Sequence, residues 1–581
     1  MKRCPSCHRV YSDETLNFCL DDGARLTGYE IGEKEQATAI LPTSMAPGHA
    51  ASNVEEGPTR IFGRPVDGAD SSSEKGRNNL AAIARGRTPY LLLSFGVLVL
   101  SAALAFFWFT PFREKSLIKS IAVLPLANDS SGADVEYLAE GISESLINSL
   151  SQLNDVKVVA RTTAFSYKGR QSDPREVGRQ LAVDAVVTGK VRLIGDSLIV
   201  QTDLISVSDG RQIWGERYSR KLADLLSVQE NISNEILERL QPQLSSETKR
   251  QLADLHTGSS RAYELYLKGR FFWNKRTDDG LRKGMEFFEQ AIAADPQYAL
   301  AYVGLADSYN VMGFYSFLPP KESFPKAKQA AGRALELNSE MAEAHNSLAY
   351  ATLYYDWDFP AAERSFLRAI ELKPNYPVAH QWYGNLLTAM GRWEQAIGRF
   401  ERARELDPLS LIITSVPGWT YYYARQYDKA TIPCRKAIEM DRSFAFAHSV
   451  LGQVYERKGM YEEAITEFKE ALSLSGDSSE IAALLAHAYA VSGDKRQAAA
   501  ILSELIERSK QKYVSPYHVA TIYVGLGDAD QALKWLNTAY TDRQNQVVFL
   551  RHDPRMDDLR SDPRFRELLN RVTIPGGFAG L

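Results

Sequence analysis

Residues 88–112 form a run of 25 positions without a charge, rich in Leu, Phe, Val and Ala. As a helix such a run spans roughly 37 Å, enough to cross a bilayer. Tyr90, Trp108 and Phe109 near its ends and arginines at both flanks fit a single transmembrane helix better than a buried core helix. Past it the apolar runs shorten. Residues 120–126 are an apolar stretch of strand length, 135–153 carry helical periodicity, 156–160 are β-branched and apolar, and 174–181 read as helix. Ala185–Ile194 turns at Gly195-Asp196 into Ser197–Ser206, and a second turn at Asp209-Gly210 leads into 212–218 and a helix over 222–240. The order β-α-β-α-β-β-β predicts an α+β (α/β) unit with helices packed on a sheet.

Beyond residue 257 the pattern becomes periodic. Ala362, Ala396, Ala430, Ala464, Ala498 and Ala532 lie 34 residues apart, and Ala369, Ala403, Ala437 and Ala471 run in parallel seven residues on. Gly384, Gly418 and Gly452 mark an upstream position, continued by Ala486 and Ala520. Small residues at fixed spacing let helix backbones approach closely, while Phe366, Phe400 and Phe468 fill the gaps; Cys434 stands in the same slot and reads as a small buried hydrophobe. Gly391, Gly459, Gly493 and Gly527 end the first helix of each pair with a left-handed cap. Backward from Ala369 the phase drifts, since Ala291 lies 43 residues before Ala334. That surplus falls at about 314–321, including Pro319-Pro320, and predicts a longer inter-helix loop in the second repeat.

A 34-residue period, with His448, Leu451, Gly452, Tyr455, Gly459, Tyr461, Ala464, Phe468 and Ala471 in their slots, resembles the tetratricopeptide repeat. The resemblance implies an all-α solenoid over 257–571 of about eight repeats, closed by a carboxyl-terminal cap. It also implies a concave groove for protein or peptide ligands. His345, His380 and His448 share one repeat position, which makes His380 and His448 candidate groove residues, although that slot ordinarily holds a packing aromatic and packing is the expected role.

Composition then narrows the classes. With 68 Lys+Arg against 72 Asp+Glu, the net charge of −4 argues against a chain built to coat nucleic acid. Three of the four cysteines fall in the first nineteen residues, which excludes a disulfide-stapled scaffold and points to a local metal site. Cys4-Pro5-Ser6-Cys7 and Cys19-Leu20-Asp21-Asp22-Gly23 resemble the two knuckles of a zinc ribbon over 1–28, with Cys4, Cys7, Cys19 and Asp22 as candidate ligands of one zinc ion. Such ribbons carry cysteine where Asp22 stands. The fourth ligand is therefore open between Asp22, His8 and a weak three-coordinate site, and a degenerate ribbon that binds nothing is the alternative. Residues 29–86, poor in aromatics and rich in Ala, Gly, Ser, Thr, Pro and Glu, read as a disordered linker. Thiolates persist best in a reducing compartment. The expected placement is thus a cytoplasmic membrane, single-pass, amino terminus inside and everything after Arg113 outside, and a bacterial one as the resemblance that follows implies.

Four motifs carry a second resemblance: Ser120-Ile-Ala-Val-Leu-Pro-Leu, Tyr137-Leu-Ala-Glu-Gly-Ile, Arg161-Thr-Thr-Ala-Phe-Ser-Tyr-Lys-Gly and Ile213-Trp-Gly-Glu-Arg-Tyr. In that order they resemble the TolB-amino-terminal-like domain over 118–245. The resemblance implies a non-catalytic module that senses a partner or a small-molecule ligand, of the kind found beside tetratricopeptide repeats in membrane-bound regulators. Arg161, Tyr167, Lys168 and Trp214 are its candidate surface residues, though such residues more often pair across strands.

No phosphate-binding loop, zinc-protease, nucleophile-elbow or kinase motif occurs in the chain. The expectation is a multidomain, non-enzymatic, membrane-anchored interaction scaffold and sensor. A membrane-bound transcription or signalling regulator with the ribbon as output module is the alternative, and an accessory subunit of a cyclase or kinase system the second. Lys2, Arg3, Arg9 and Arg25 around the ribbon offer too few phosphate contacts for tight duplex binding, which argues against direct nucleic-acid binding.

Overall fold

The computed structural model describes residues 118–240 and 257–572, apart from 131–134, 154–155, 171 and 477, together with three two-residue strands near the amino terminus. The chain divides into two units, Met1–Thr110 and Pro111–Leu581. In the first, β1 (Lys2–Arg3) pairs antiparallel with β2 (Val10–Tyr11) and β3 (Thr27–Gly28), in the order β2-β1-β3. The candidate zinc ligands Cys4, Cys7, Cys19 and Asp22, the linker 29–86 and the apolar run 88–112 lie outside the described residues. Among the described residues no helix is long and apolar enough to cross a membrane.

The second unit begins with a mixed sheet. Its strands are β4 (Ser120–Val123), β5 (Ala127–Asn128), β6 (Lys157–Val158), β7 (Ala185–Ile194), β8 (Ser197–Ser206) and β9 (Gln212–Lys221). The order is β6-β4-β7-β8-β9, with β5 also on β7; β4 runs parallel to β6 and β7, and β7, β8 and β9 are antiparallel. Gly195, at φ 60°, makes the two-residue turn that fixes the β7–β8 register Ile194↔Ser197. Helices α1 (Glu136–Leu150), α2 (Arg161–Phe165), α3 (Pro174–Gln180) and α4 (Leu225–Leu240) complete the domain. The short α2 interrupts a stretch with no helical periodicity and has no counterpart among the predicted elements. Asp173 caps α3, accepting from the Arg175 amide, and Pro174 takes the first helical position where a missing N–H costs nothing. The core lies between the sheet and α1 and α4, around Ile121, Val186, Leu198, Ile142 and Ile236.

Sixteen helices follow as eight antiparallel pairs, from α5 (Ser260–Trp273) and α6 (Asp278–Ala294) to α19 (Pro516–Leu526) and α20 (Ala529–Thr541). The close approaches inferred from spacing are real contacts. A Cβ on Gly384 would come within 2.5 Å of the Phe400 ring and one on Gly418 within 2.5 Å of Cys434 Sγ. The second pair departs from expectation. Its surplus is not confined to the loop: α7 (Ala299–Phe314) has 16 residues and α8 (Pro320–Leu337) has 18, against 13 and 14 in α11 (Pro377–Ala389) and α12 (Trp393–Leu406). Proline at the first position of α8 starts a helix as readily as it ends one, so Pro319-Pro320 marks a helix start more than a long loop.

After α20 two short 3-10 turns, Asn545–Phe549 and Pro554–Leu559, lead to α21 (Pro563–Arg571). This segment returns to the early repeats. Asn545 Nδ2 donates to the Phe314 carbonyl (3.0 Å), and Lys321 pairs with Asp542 (3.0 Å). Phe549 stacks on Tyr423 (5.2 Å between centroids, 9° between planes) and meets Trp419 edge-on at 4.5 Å. Both aromatics belong to α13 (Leu411–Tyr423), the first helix of its pair.

Candidate functional site

The sheet domain and the array share a buried junction. Helix α1 packs on α5 at Gly141, where a Cβ would meet Leu267 at 2.9 Å. One turn on, Glu144 accepts from Arg161 Nε (2.7 Å), Arg270 Nε (2.7 Å) and Asn274 Nδ2 (2.9 Å). Burial alone would raise its pKa, but the Arg270 and Arg161 charges and these hydrogen bonds more than offset it and hold the carboxyl at about 2. A second clasp joins α2 to the middle of the array. Thr163 Oγ1 donates to Asp407 Oδ1 (2.8 Å) and accepts from the Leu409 amide (3.0 Å).

Between the two clasps, α1, α2 and the first helices of the early repeats enclose a cavity of about 220 Å³. Its lining mixes polar and charged side chains with the aromatic rings of Tyr266, Trp273, Tyr298, Tyr376 and Trp382. Four cationic and four acidic side chains also face it. Glu144 is bound as described, Glu343 pairs with Lys373 (2.8 Å), and Asp407 is held by Thr163. Asp307 accepts from the Ser347 hydroxyl; burial pushes its carboxyl up to about 6 against that bond and the charges of Arg270 and Arg276. The Arg270 and Arg276 guanidiniums both lie over the Trp273 ring, at 4.3 and 3.5 Å from its centroid.

The structure brings two of the sequence-predicted surface residues together at this junction and scatters the others. Arg161 spans Glu140 and Glu144, and Lys168 joins Glu140 (2.7 Å) at the outer edge of the same acidic ridge on α1. Tyr167 donates to Gln180 Oε1 (3.0 Å). Trp214 is buried on β9, its indole N–H donating to Glu235 (2.8 Å), which also accepts from Tyr218. His380 and His448 are buried in the first turns of the helices Pro377–Ala389 and Ala445–Arg457, each ring bonded to a carbonyl of the preceding inter-repeat turn, Pro374 (2.9 Å) and Arg442 (3.0 Å). His448 also meets Glu467 (2.6 Å). Both rings therefore brace the turns where repeats stack. Among the described residues no group of three or more His, Cys, Asp or Glu is placed to hold a metal ion.

The open concave groove expected from the repeat pattern requires correction. Over α13 and its neighbours the inner face is covered by the chain's own residues 545–559, with Phe549 and Asp553 buried there. Asp553 accepts from Tyr517 (2.7 Å) and Arg555 (2.6 Å), and Arg425 grips Asp557 with two bonds (2.6 and 2.7 Å). Glu144, Arg270, Arg276 and Asp307 were not singled out by the sequence, since they meet only through tertiary packing. One signal was present: Arg276 immediately precedes the second helix of its pair, where Gly391, Gly459, Gly493 and Gly527 stand in other repeats.

Comparison with known proteins agrees with this architecture. Models of the tetratricopeptide repeat match residues 365–398 and 455–515. The array is a tetratricopeptide repeat solenoid. Residues 117–235, the segment carrying the TolB-like motifs, match the second domain of HilA/YgeH-like transcriptional regulators. A Rhizobium meliloti (strain 1021) protein named "Putative adenylate cyclase 3" is 27% identical over 237 residues, 40% of each chain. Transcriptional regulator HilA of Salmonella typhimurium is 23% identical over 312 residues, 54% of this chain and 55% of that one. The chain thus spans about half the length, or less, of these curated relatives. Among solved structures, the APC/C hetero-tetramer Cut9-Hcn1 aligns with 60% of this chain and 63% of its own at 16% identity, with a TM-score of 0.38.

Proposed function

We propose that the chain is a non-enzymatic, membrane-anchored interaction scaffold in which the sheet domain acts as a sensor and the repeat solenoid recruits protein or peptide partners. The observation that carries this reading is the junction itself. Glu144, Arg161 and Arg270 tie the sheet domain to the first repeat, and Thr163 ties it to Asp407 in mid-array, so a change felt by one part is transmitted to the other through buried charge. With residues 545–559 over the inner face, partners address the outer surface, where Leu367 and Ile432 are exposed on second helices. The run 88–112 supplies the anchor. Cys4, Cys7 and Cys19, with Asp22, would hold zinc on the cytoplasmic side, thiolates and a carboxylate being an acceptable donor set for that ion.

Two measurements on the full chain test this. Reporter fusions after Asp22 and after Leu581 should place the two ends on opposite sides of a bacterial cytoplasmic membrane; both ends inside would remove the physical basis for a sensor. Cross-linking capture with the full chain should recover specific partners that are lost in the double variant Leu367→Glu, Ile432→Glu; unchanged capture would refute the outer-surface assignment. A second reading, a membrane-bound transcription or signalling regulator, is favoured by the match of residues 117–235 to the HilA/YgeH-like domain. Retention of the full chain on duplex DNA in a Cys19→Ser-sensitive manner would establish it. The match to a cyclase-named relative supports an accessory role in such a signalling system, and nucleotide turnover by the purified chain would overturn the non-enzymatic reading.

A further inference from the structure

Of the four cationic side chains lining the junction cavity, three have carboxylate partners: Arg161 and Arg270 on Glu144, and Lys373 on Glu343. The guanidinium of the fourth, Arg276, has no ion pair and no hydrogen bond; it lies over the face of Trp273. Arg276 is exposed and is one of the residues lining the cavity. The backbone makes this arginine stranger. It sits at φ 56°, in the left-handed region, where glycine costs nothing and an L side chain costs roughly 1 kcal/mol. Four later repeats place glycine at the equivalent position. In two repeats that do not, the side chain does structural work: Arg425 (φ 61°) pairs with Asp557, and Trp357 (φ 62°) packs on Tyr540 and under Arg543. Arg276 has strain of the same kind with its charge unpaired by any carboxylate, the pattern of backbone strain held at a ligand site.

Two further polar atoms on residues of this wall are buried and unpartnered, the indole N–H of Trp273 and the hydroxyl of Tyr298, whose residues are 7% and 1% exposed. Natural interiors seldom leave such groups unsatisfied without water or a ligand to meet them. We propose that this cavity binds a small organic acid, with its anionic group on the Arg276 guanidinium and its apolar body among Tyr266, Tyr298 and Trp382. The acidic residues of the wall already have donors, so the unmatched charge is the cation. The aromatic rings among the lining residues favour an organic acid over a purely inorganic anion. The volume of about 220 Å³ exceeds the roughly 150 Å³ that accepts benzene, which suits an aryl or short alkyl acid of about ten non-hydrogen atoms. The ligand would touch both the sheet domain and the early repeats, and its binding does not depend on which membrane face the unit occupies or which partner it recruits.

The test titrates the purified full chain with 3-phenylpropionate while following tryptophan emission, since Trp273 and Trp382 line the cavity. The neutral amide of the same acid and inorganic phosphate are run in parallel. A saturable response to the acid, at least tenfold weaker in Arg276→Gly and at least tenfold weaker for the amide and for phosphate, is expected. Arg276→Gly is the chosen variant because glycine is what four other repeats carry there, so its melting temperature should match or exceed the parent's. The proposal is overturned by no saturable response to the acid, by equal affinity in Arg276→Gly, by equal binding of the amide, which removes the anion anchor, or by equal binding of phosphate, which removes the apolar body.

Discussion

At the scale of one residue, Glu144 shows how a buried charge becomes a structural dependency. Its carboxylate meets two guanidiniums and one amide. Removing the charge leaves Arg270 without a carboxylate partner and Arg161 with Glu140 alone, at a largely buried site. Loss of one partner of a buried pair costs about 3–5 kcal/mol. Glu144→Gln should therefore lower stability by that order in chemical denaturation and separate the sheet domain from α5, read as faster hydrogen exchange in α1 and α5 together. Its pH dependence has a definite sign. The native value of about 2 lies below that of an unfolded glutamate, so the unfolded chain binds the proton first. The contribution is complete above roughly pH 4.5 and is lost as the pH falls toward 2. Glu144→Gln should accordingly flatten the acid limb below pH 4.5 and leave the neutral region parallel to that of the parent.

At the scale of elements, the turn Asn545–Phe549 decides what the solenoid's inner face can do. Phe549 is buried between Tyr423 and Trp419 and near Tyr354. Phe549→Ala should cost about 3–5 kcal/mol, the usual range for a buried aromatic. Limited proteolysis should then cut first within 545–559 while the sheet domain stays intact; equal loss of protection everywhere would show that the turn is not a separate lid on the groove. The sequence predicts a carboxyl-terminal cap but not that it folds back over the inner face, and the reason is physical. Helix pairs announce themselves because a helix face repeats locally: Ala362 to Ala532 keep a 34-residue step, and Gly391 or Gly527 mark turns whose backbone needs them. The strands were legible for the same reason, through the Gly195 and Gly210 turns and alternating apolar positions. Contacts such as Asn545 with Phe314, or Arg270 with Glu144, join residues 231 and 126 positions apart and leave no period behind. Of the candidate site, Arg161 was legible because its motif resembles a known one, whereas Arg276 was visible only as an exception to a glycine rule.

At the scale of the whole molecule, two histidines report on how the solenoid closes. His518 on α19 is buried between Ser479 Oγ (3.0 Å) and Gln546 Nε2 (3.2 Å), and His552 sits edge-on to Trp393 at 5.0 Å. Each thus ties the closing segment, or the repeat beneath it, to another part of the array. Burial, reinforced by Arg555 and Arg508, holds His518 down at about 3; burial, with Arg551, Arg560 and Arg425, holds His552 at about 4. An unfolded histidine titrates near 6.5, so the unfolded chain takes up protons that the closed form refuses. Stability is full above pH 6.5 and falls as the pH drops toward those native values, by about 2 kcal/mol per histidine at pH 5. Asp307 acts in the opposite direction. Its carboxyl is raised to about 6, so the native form binds that proton first and gains stability as the pH falls from 6 toward 4. The parent curve mixes these terms, and a difference separates them. Between pH 7.5 and 5.0 the denaturation midpoint of the parent should fall by more than that of the double variant His518→Gln, His552→Gln, and the parent's extra exchange should appear first in residues 545–559. Equal shifts in the two proteins would mean that protonation does not act through the closure. Exchange appearing first in the sheet domain would place the acid-sensitive element at the other end of the unit. The expected result makes the segment over the inner face the least stable part of the closed solenoid in mild acid, the condition under which its groove would open to a peptide from another chain.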